Sequence, residues 1–191
     1  MIEKHLPLGK RRSGQKLLGV KFIVAHDTGN PNSTALGNVS YYTNTFNLQE
    51  QSAHVFIDDQ NVVECVPLNE KAWHVRRDVP TDNSIYGVDA NDYALSVELC
   101  YFPQDVARSK MAYNAYVEYI KGLCQKYDLN PAKSVIGHYK LDPGRRTDPI
   151  NAFKTIGKTW EQFLIDLAPE VLQPSEKEQI KEKIISYIRG L

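Results

Sequence analysis

A strand and a long helix follow one another between residues 93 and 127, and nothing else in the chain restricts its fold as much. In Tyr93–Tyr101, Leu95, Val97 and Leu99 alternate with Ala94, Ser96 and Glu98, the two-residue period of a strand. From about Val106 to Tyr127, Ala112, Tyr116, Tyr119, Leu123 and Tyr127 recur near helical spacing and mark an apolar face. Val20–Ala25 reads as a second buried strand, with His26 at its C-terminal end. His54–Ile57 and Val62–Pro67 read as short strands joined by the hairpin signal Asp58-Asp59-Gln60-Asn61, and Ser134–Ile136 as another. Ala35–Phe46 has helical spacing in Val39, Tyr42 and Phe46. Thr159-Trp160-Glu161-Gln162 has the form of a capping box opening a helix with Phe163, Leu164 and Leu167. Strands and helices mix without strict alternation. That predicts an α/β fold, a central mixed β-sheet flanked by helices. Residues 1–19 read as an extended lead-in with His5 on the surface. Residues 76–92, with Pro80, Gly87 and four aspartates, read as a long surface loop.

At 191 residues, 42% hydrophobic and 24% charged, the chain suits one domain with or without an appendage. Pro169 and Pro174 bracket a break near the end. Ser175-Glu176-Lys177-Glu178 then starts a last helix with Ile180, Ile184, Ile185 and Ile188 on one face. Lys+Arg and Asp+Glu balance at 23 each, so no global field favours nucleic acid or an anionic membrane. No apolar run reaches the roughly 18 residues of a membrane span. The N-terminus lacks the apolar stretch of a signal peptide, so synthesis and folding in the cytoplasm are expected. Cys65, Cys100 and Cys124 are widely spaced and form no CxxC motif. They read as small buried apolar residues, with a thiol nucleophile or zinc ligand as the weaker alternative.

The chemistry concentrates around three residues. His138 and Asp148 stand at the two ends of the run Gly137-His138-Tyr139-Lys140-Leu141-Asp142-Pro143-Gly144-Arg145-Arg146-Thr147-Asp148, and His26 closes the apolar run Phe22-Ile23-Val24-Ala25. Two imidazoles and a carboxylate suit a catalytic zinc, which takes three protein ligands and keeps a fourth position for water. Zinc lowers the pKa of that water to about 7, which points to a hydrolase. Both histidines follow strands, where loops carry functional groups on a rigid frame, and the Pro143-Gly144 turn can fold Asp148 back toward His138. Taken singly, a histidine is more often a structural residue than a ligand.

At this point the residues resemble a family. The run His138…Pro143-Gly144-Arg145-Arg146-Thr147-Asp148-Pro149 is similar to the zinc loop of the type 2 N-acetylmuramoyl-L-alanine amidases, the superfamily of bacteriophage lysozyme-like amidases and peptidoglycan-recognition proteins. Ile23-Val24-Ala25-His26-Asp27-Thr28, Ser52-Ala53-His54-Val55-Phe56-Ile57, Ala72-Trp73-His74 and Asn91-Asp92-Tyr93-Ala94-Leu95-Ser96-Val97-Glu98 match further family segments in the same order, over about residues 20–167. Each motif is weak alone; five in order are specific.

The resemblance implies an amidase/peptidoglycan-recognition-protein-like fold in which His26, His138 and Asp148 bind Zn²⁺. It implies cleavage of the amide between N-acetylmuramic acid and the L-alanine of the peptidoglycan stem peptide. Glu98 then takes a proton from water and delivers it to the departing amine, provided its face of the strand carries the zinc. Arg146 occupies the position where many relatives carry a lysine that stabilises the oxyanion. An arginine keeps its charge, which favours charge stabilisation over proton donation. Arg145 is a structural or carboxylate-binding candidate. Trp73 and His74 are the expected substrate-groove residues, and His54 packs near the metal without binding it. Here Val75-Arg76-Arg77 follows Ala-Trp-His, where the family usually has Ala-Gly, which bears on loop shape and stem-peptide preference.

In this reading residues 1–167 form the catalytic domain. Residues 168–191 are a linker and C-terminal helix leading toward a wall-binding module. The expected setting is a phage or prophage endolysin, a monomer reaching the wall through a holin lesion, with cytosolic muropeptide recycling as the alternative. Two other functions compete: a peptidoglycan-binding module that does not cut, and a zinc peptidase acting within the stem peptide.

Overall fold

The computed structural model describes residues 1–78 and 81–168. The expected break at Pro169–Pro174 and the last helix lie outside the described residues. Six strands form one sheet: β1 (Ile2–Glu3), β2 (Phe22–Asp27), β3 (Val55–Ile57), β4 (Val62–Glu64), β5 (Ala94–Leu99) and β6 (Val135–Gly137), in the order β1-β4-β3-β5-β2-β6. Only β3 and β4 pair antiparallel; the other neighbours are parallel. The mixed sheet expected from the sequence is therefore present.

Central β2 and its neighbour β5 are covered on both faces, which is why Phe-Ile-Val-Ala and Ala-Leu-Ser-Val run almost without polar residues. One face carries Ile23, Ala25, Leu95 and Val97. It packs against α4 (Val106–Lys126), α7 (Ile150–Thr155) and α8 (Trp160–Leu167) through Tyr113, Tyr116, Phe153 and Phe163. The other face carries Phe22, Val24 and Ile136, and, under α1 (Ala35–Asn44), Phe56 and Val63. Each large apolar side chain fully buried here contributes about 1.5–3 kcal/mol.

Local chemistry sets the ends of these elements. Asp58 Oδ1 accepts from the amides of Gln60 (2.8 Å) and Asn61 (2.6 Å), closing the β3–β4 turn, while its Oδ2 accepts from Ala35 N at 2.7 Å and so fixes the start of α1. Thr159 and Gln162 form the expected capping box on α8. Asp105 caps α4.

Three expectations change. The buried stripe of α4 comprises Ala112, Tyr113, Tyr116, Val117, Ile120, Leu123 and Cys124, keeping the expected Ala112, Tyr116 and Leu123, with Tyr119 and Tyr127 half-buried at its edge. Tyr119 and Tyr127 lay part of their rings against the core from the helix flank, and the Tyr119 hydroxyl is itself buried without a hydrogen-bond partner among the described residues. Residues 76–92 are more ordered than a loop: they contain α2 (Thr81–Tyr86) and α3 (Ala90–Tyr93). Asp89 caps α3, and buried Asp82 accepts from Ala90 N at 2.7 Å, so two of the four aspartates that suggested a loop act as a helix cap and a tie. The lead-in is also tied down. β1 pairs with β4, and Arg11 is 0% exposed, its guanidinium donating to Thr45 O at 3.0 Å and Gln51 O at 2.6 Å and lying 4.2 Å from the Tyr42 ring centre. The three cysteines are buried free thiols.

Candidate active site

Because β2 and β5 run parallel in register, His26 stands directly beside Glu98. Both belong to the face opposite α4, since their alternation partners Ala25 and Val97 point into the α4 side. On the far side of β2, β6 ends at Gly137. A Cβ there would lie 2.6 Å from the Tyr139 ring and 3.1 Å from Pro149 Cδ, so glycine permits the turn α6 (His138–Leu141) to start against the strand. That turn delivers His138. The loop after it returns, and Tyr139 N donates to Asp148 O at 3.0 Å, setting Asp148 between the two histidines.

The three candidate ligands converge. Asp148 Oδ2 lies 2.9 Å from His26 Nδ1 and 3.0 Å from His138 Nδ1, and the three residues form a buried group with ligand atoms within 4.8 Å of one another. Donors around a tetrahedral zinc with bonds of about 2.0–2.1 Å stand about 3.3 Å apart, so small outward shifts would admit the ion. The donor set is also right for it: neutral nitrogen twice and carboxylate once. Burial lowers the His26 pKa to about 4 against the pull of Asp148, keeping the ring neutral and able to ligate. Burial pushes the Asp148 carboxyl up, but hydrogen bonds from both imidazoles outweigh it and hold the group well below the usual carboxylate range. Nδ1 of both rings is turned to Asp148; on the far side His26 Nε2 lies 3.3 Å from His74 Nδ1, whereas buried His138 Nε2 has no partner among the described residues.

Glu98 closes the same floor. Its side of the residue opens partly to the cleft, yet Oε2 is sealed and accepts no hydrogen bond. Burial, reinforced by Asp148 and Asp27 and opposed by Arg146, raises its pKa well above the ordinary value. Arg146 also lines the cleft, with its Nε buried and unpartnered. Trp73 and His74 line it too, each 7% exposed. The Arg77 guanidinium covers the Trp73 ring at 4.3 Å. Burial, then the neighbouring His26, His54 and His138, lowers the His74 pKa well below its usual value.

His54 stays out of the converging group. Its Nε2 donates to Glu70 O at 3.0 Å and its Nδ1 accepts from Ser96 N at 3.0 Å, a satisfied neutral ring in the sheet.

Sequence reasoning missed several supports. Asn91 Oδ1 accepts from both His74 N (2.9 Å) and Val75 N (3.1 Å), while its amide donates to Val75 O at 2.8 Å, clamping the segment that carries Trp73 and His74. Tyr116 Oη donates to His26 O at 3.2 Å and Val97 O at 3.3 Å, tying α4 to the two strands of the site. The available signal was a tyrosine on an apolar helix face, which needs a partner for its hydroxyl when buried. Asp27 accepts from Gly29 N at 3.0 Å and Ala152 N at 3.2 Å, and nothing in its local sequence distinguishes it.

The family model for N-acetylmuramoyl-L-alanine amidase matches residues 15–151. N-acetylmuramoyl-L-alanine amidase CwlL of Bacillus licheniformis is 34% identical over 133 residues, 68% of this chain and 36% of that protein. N-acetylmuramoyl-L-alanine amidase BlyA of Bacillus subtilis (strain 168) is 31% identical over 152 residues, 72% of this chain and 39% of that protein. The chain thus spans well under half the length of these relatives. Among solved structures, PlyL superimposes with a TM-score of 0.70 at 23% identity, covering 88% of this chain and 97% of that one. The catalytic domain of XlyA gives 0.67 at 21% identity, with 87% and 98% covered. These two share the fold.

Proposed function

Because the chain belongs to the N-acetylmuramoyl-L-alanine amidase family, we propose that it hydrolyses the amide joining N-acetylmuramic acid to the L-alanine of the peptidoglycan stem peptide, in a zinc-dependent reaction. The observation that carries this reading is the placement of Glu98, with a carboxylate oxygen free of partners, on the same sheet face as the His26–His138–Asp148 group and beside His26.

In this mechanism His26, His138 and Asp148 hold the ion, which supplies a Lewis acid and an activated water when bound. Glu98, half-buried at the floor of the cleft, accepts the proton of the attacking water on its cleft-facing side. Its raised pKa lets it retain that proton until the alanine nitrogen departs, and then release it there. Arg146 places a permanent positive charge where the carbonyl oxygen gains negative charge. His74 orients His26 through the Nε2 contact, and Asn91 holds His74 in place. Trp73 stiffens the wall of the cleft.

The biological setting we propose is lysis of the wall by an endolysin-type enzyme, with residues 1–167 as the catalytic domain and 168–191 leading toward a wall-binding part. Activity on intact sacculi exceeding that on soluble muropeptides supports this setting; the reverse preference indicates muropeptide recycling.

The test is digestion of peptidoglycan by wild type and Glu98→Ala, with and without a chelator, reading the new ends by mass spectrometry. The expected result is free lactyl ends and new L-alanine amines, absent in the variant and after chelation, and recovered by the wild type on adding Zn²⁺. New ends inside the stem peptide would convert the reading to a peptidase. Binding without new ends would convert it to a recognition module.

A further inference from the structure

Four arginines border the cleft, Arg76, Arg77, Arg145 and Arg146, on two loops that approach one another. Charge on Asp142 acts on Arg76, and charge on Arg145 acts on Asp78, so the loops share one field. Two of these arginines are already neutralised by neighbours. Arg76 forms a two-pronged pair with Asp78, and Arg145 pairs with Asp142. Arg146 faces Glu98 and His26, whose titration its charge shifts. Arg77 resembles Arg146 in forming no salt bridge among the described residues, though its charge acts on Asp89, and it alone of the four has its guanidinium set 4.3 Å from the centre of the buried Trp73 ring.

Stacking of this kind leaves the outward edge of the guanidinium, with its N–H donors, available to a ligand. It also removes part of the rotamer entropy that a free surface arginine gives up on binding. The cleft is about 830 Å³, ample for a peptide beside a sugar. Its remaining rim, on residues 38–52, offers amides, hydroxyls and phenols such as Asn38, Tyr41, Gln49 and Gln51, with Glu50 as the carboxylate. The chemistry along the cleft is therefore uneven: hydroxyl-matching groups on one segment, and an open cation on another.

We propose that Arg77, stacked on Trp73, is the receptor for a carboxylate of the stem peptide. On this proposal the enzyme prefers stems whose acidic groups are free over stems in which they are amidated. The inference rests on the amidase reading for the identity of the substrate; the contact itself is a planar guanidinium meeting a planar carboxylate. A stem peptide carries such groups at its second residue, the α-carboxyl of a γ-linked D-glutamate, and at a diaminopimelate in third place.

The test uses three muramyl peptides: both carboxyls free, the second-residue carboxyl amidated, and lysine in third place. Wild type, Arg77→Gln and Arg77→Lys are compared for kcat/KM and, by calorimetry, for binding. For wild type the free-acid peptide is favoured over one of the other two by about tenfold, the size expected of a partly exposed charge-assisted pair. Whichever substitution loses that advantage identifies the carboxylate. In Arg77→Gln the ratio collapses toward one, through KM and not kcat, and Arg77→Lys recovers part of it. A wild type that treats all three peptides alike overturns the proposal, as does an Arg77→Gln variant that weakens all three equally. Should no lactyl or alanine ends form at all, the amidase reading fails, and the binding ratios alone still decide whether Arg77 reads a carboxylate.

Discussion

Replacing Glu98 by Gln separates chemistry from folding in this site. The side chain keeps its shape, and the oxygen that changes to an amide nitrogen had no hydrogen-bond partner to lose. Loss of a positioned acid–base group lowers the rate by roughly 10²- to 10⁴-fold. At 1.36 kcal/mol per decade that is about 2.7–5.4 kcal/mol of transition-state stabilisation. Stability should move the other way at neutral pH. Burial raises the Glu98 pKa, so its contribution to folding is fully present below the ordinary value of 4.5 and is lost as pH rises through the folded value. The glutamine has no such loss. In metal-free protein the stability of Glu98→Gln relative to wild type should therefore increase between pH 4 and pH 8. The assays are release of L-alanine amines per unit time, and urea unfolding of both proteins after chelation at the two pH values. A rate loss under tenfold would remove Glu98 from proton transfer. A variant less stable than wild type by the same amount at both pH values would refute the account of its buried charge.

Two further outcomes follow from the frame around the site. Burial lowers the His54 pKa from 6.5 to about 4, so the neutral ring stabilises the fold above pH 6.5 and that stability is lost as pH falls toward 4. At 1.36 kcal/mol per unit the loss approaches about 3 kcal/mol, and His54→Gln should show a correspondingly flatter dependence in urea unfolding at pH 7.5 and 4.5. Arg11→Met removes buried charge-assisted bonds to Thr45 O and Gln51 O and leaves the Gln51 carbonyl without its donor, while Thr45 O keeps Leu48 N, which should cost about 2–4 kcal/mol by thermal unfolding. A change below about 0.5 kcal/mol, the size of an ordinary surface substitution, would mean that Arg11 is not a structural tie.

Much of the frame could be read locally. Phe22–Ala25 and the alternation in Ala94–Leu99 announce strands because side chains on a pleated backbone repeat every two residues. Asp58–Asn61 announces its turn and Thr159–Gln162 its cap because these bonds span only a few residues, so their donors and acceptors sit together in the sequence. The spacing of His138 and Asp148 already suggested a shared ligand, since a single loop connects them. His26, at the end of an apolar run, was legible as a third candidate, and the resemblance to a family supplied Glu98 as their companion.

Tertiary structure decided the rest. The order β1-β4-β3-β5-β2-β6 depends on pairings between segments up to more than a hundred residues apart, which local propensity does not encode. That order places His26 beside Glu98 and both on the face away from α4. It also determines polar burial. Arg11, Asp27 and Asp82 look like surface residues in sequence because the partners that make their burial tolerable, Gln51 O, Ala152 N and Ala90 N, come from other elements. For Arg77 the neighbours are local, Trp73 four residues before it and the Arg76–Asp78 pair beside it, and what the fold adds is the cleft that this segment borders. A residue's chemistry is local, but which groups share a low-dielectric space is a property of the closed chain.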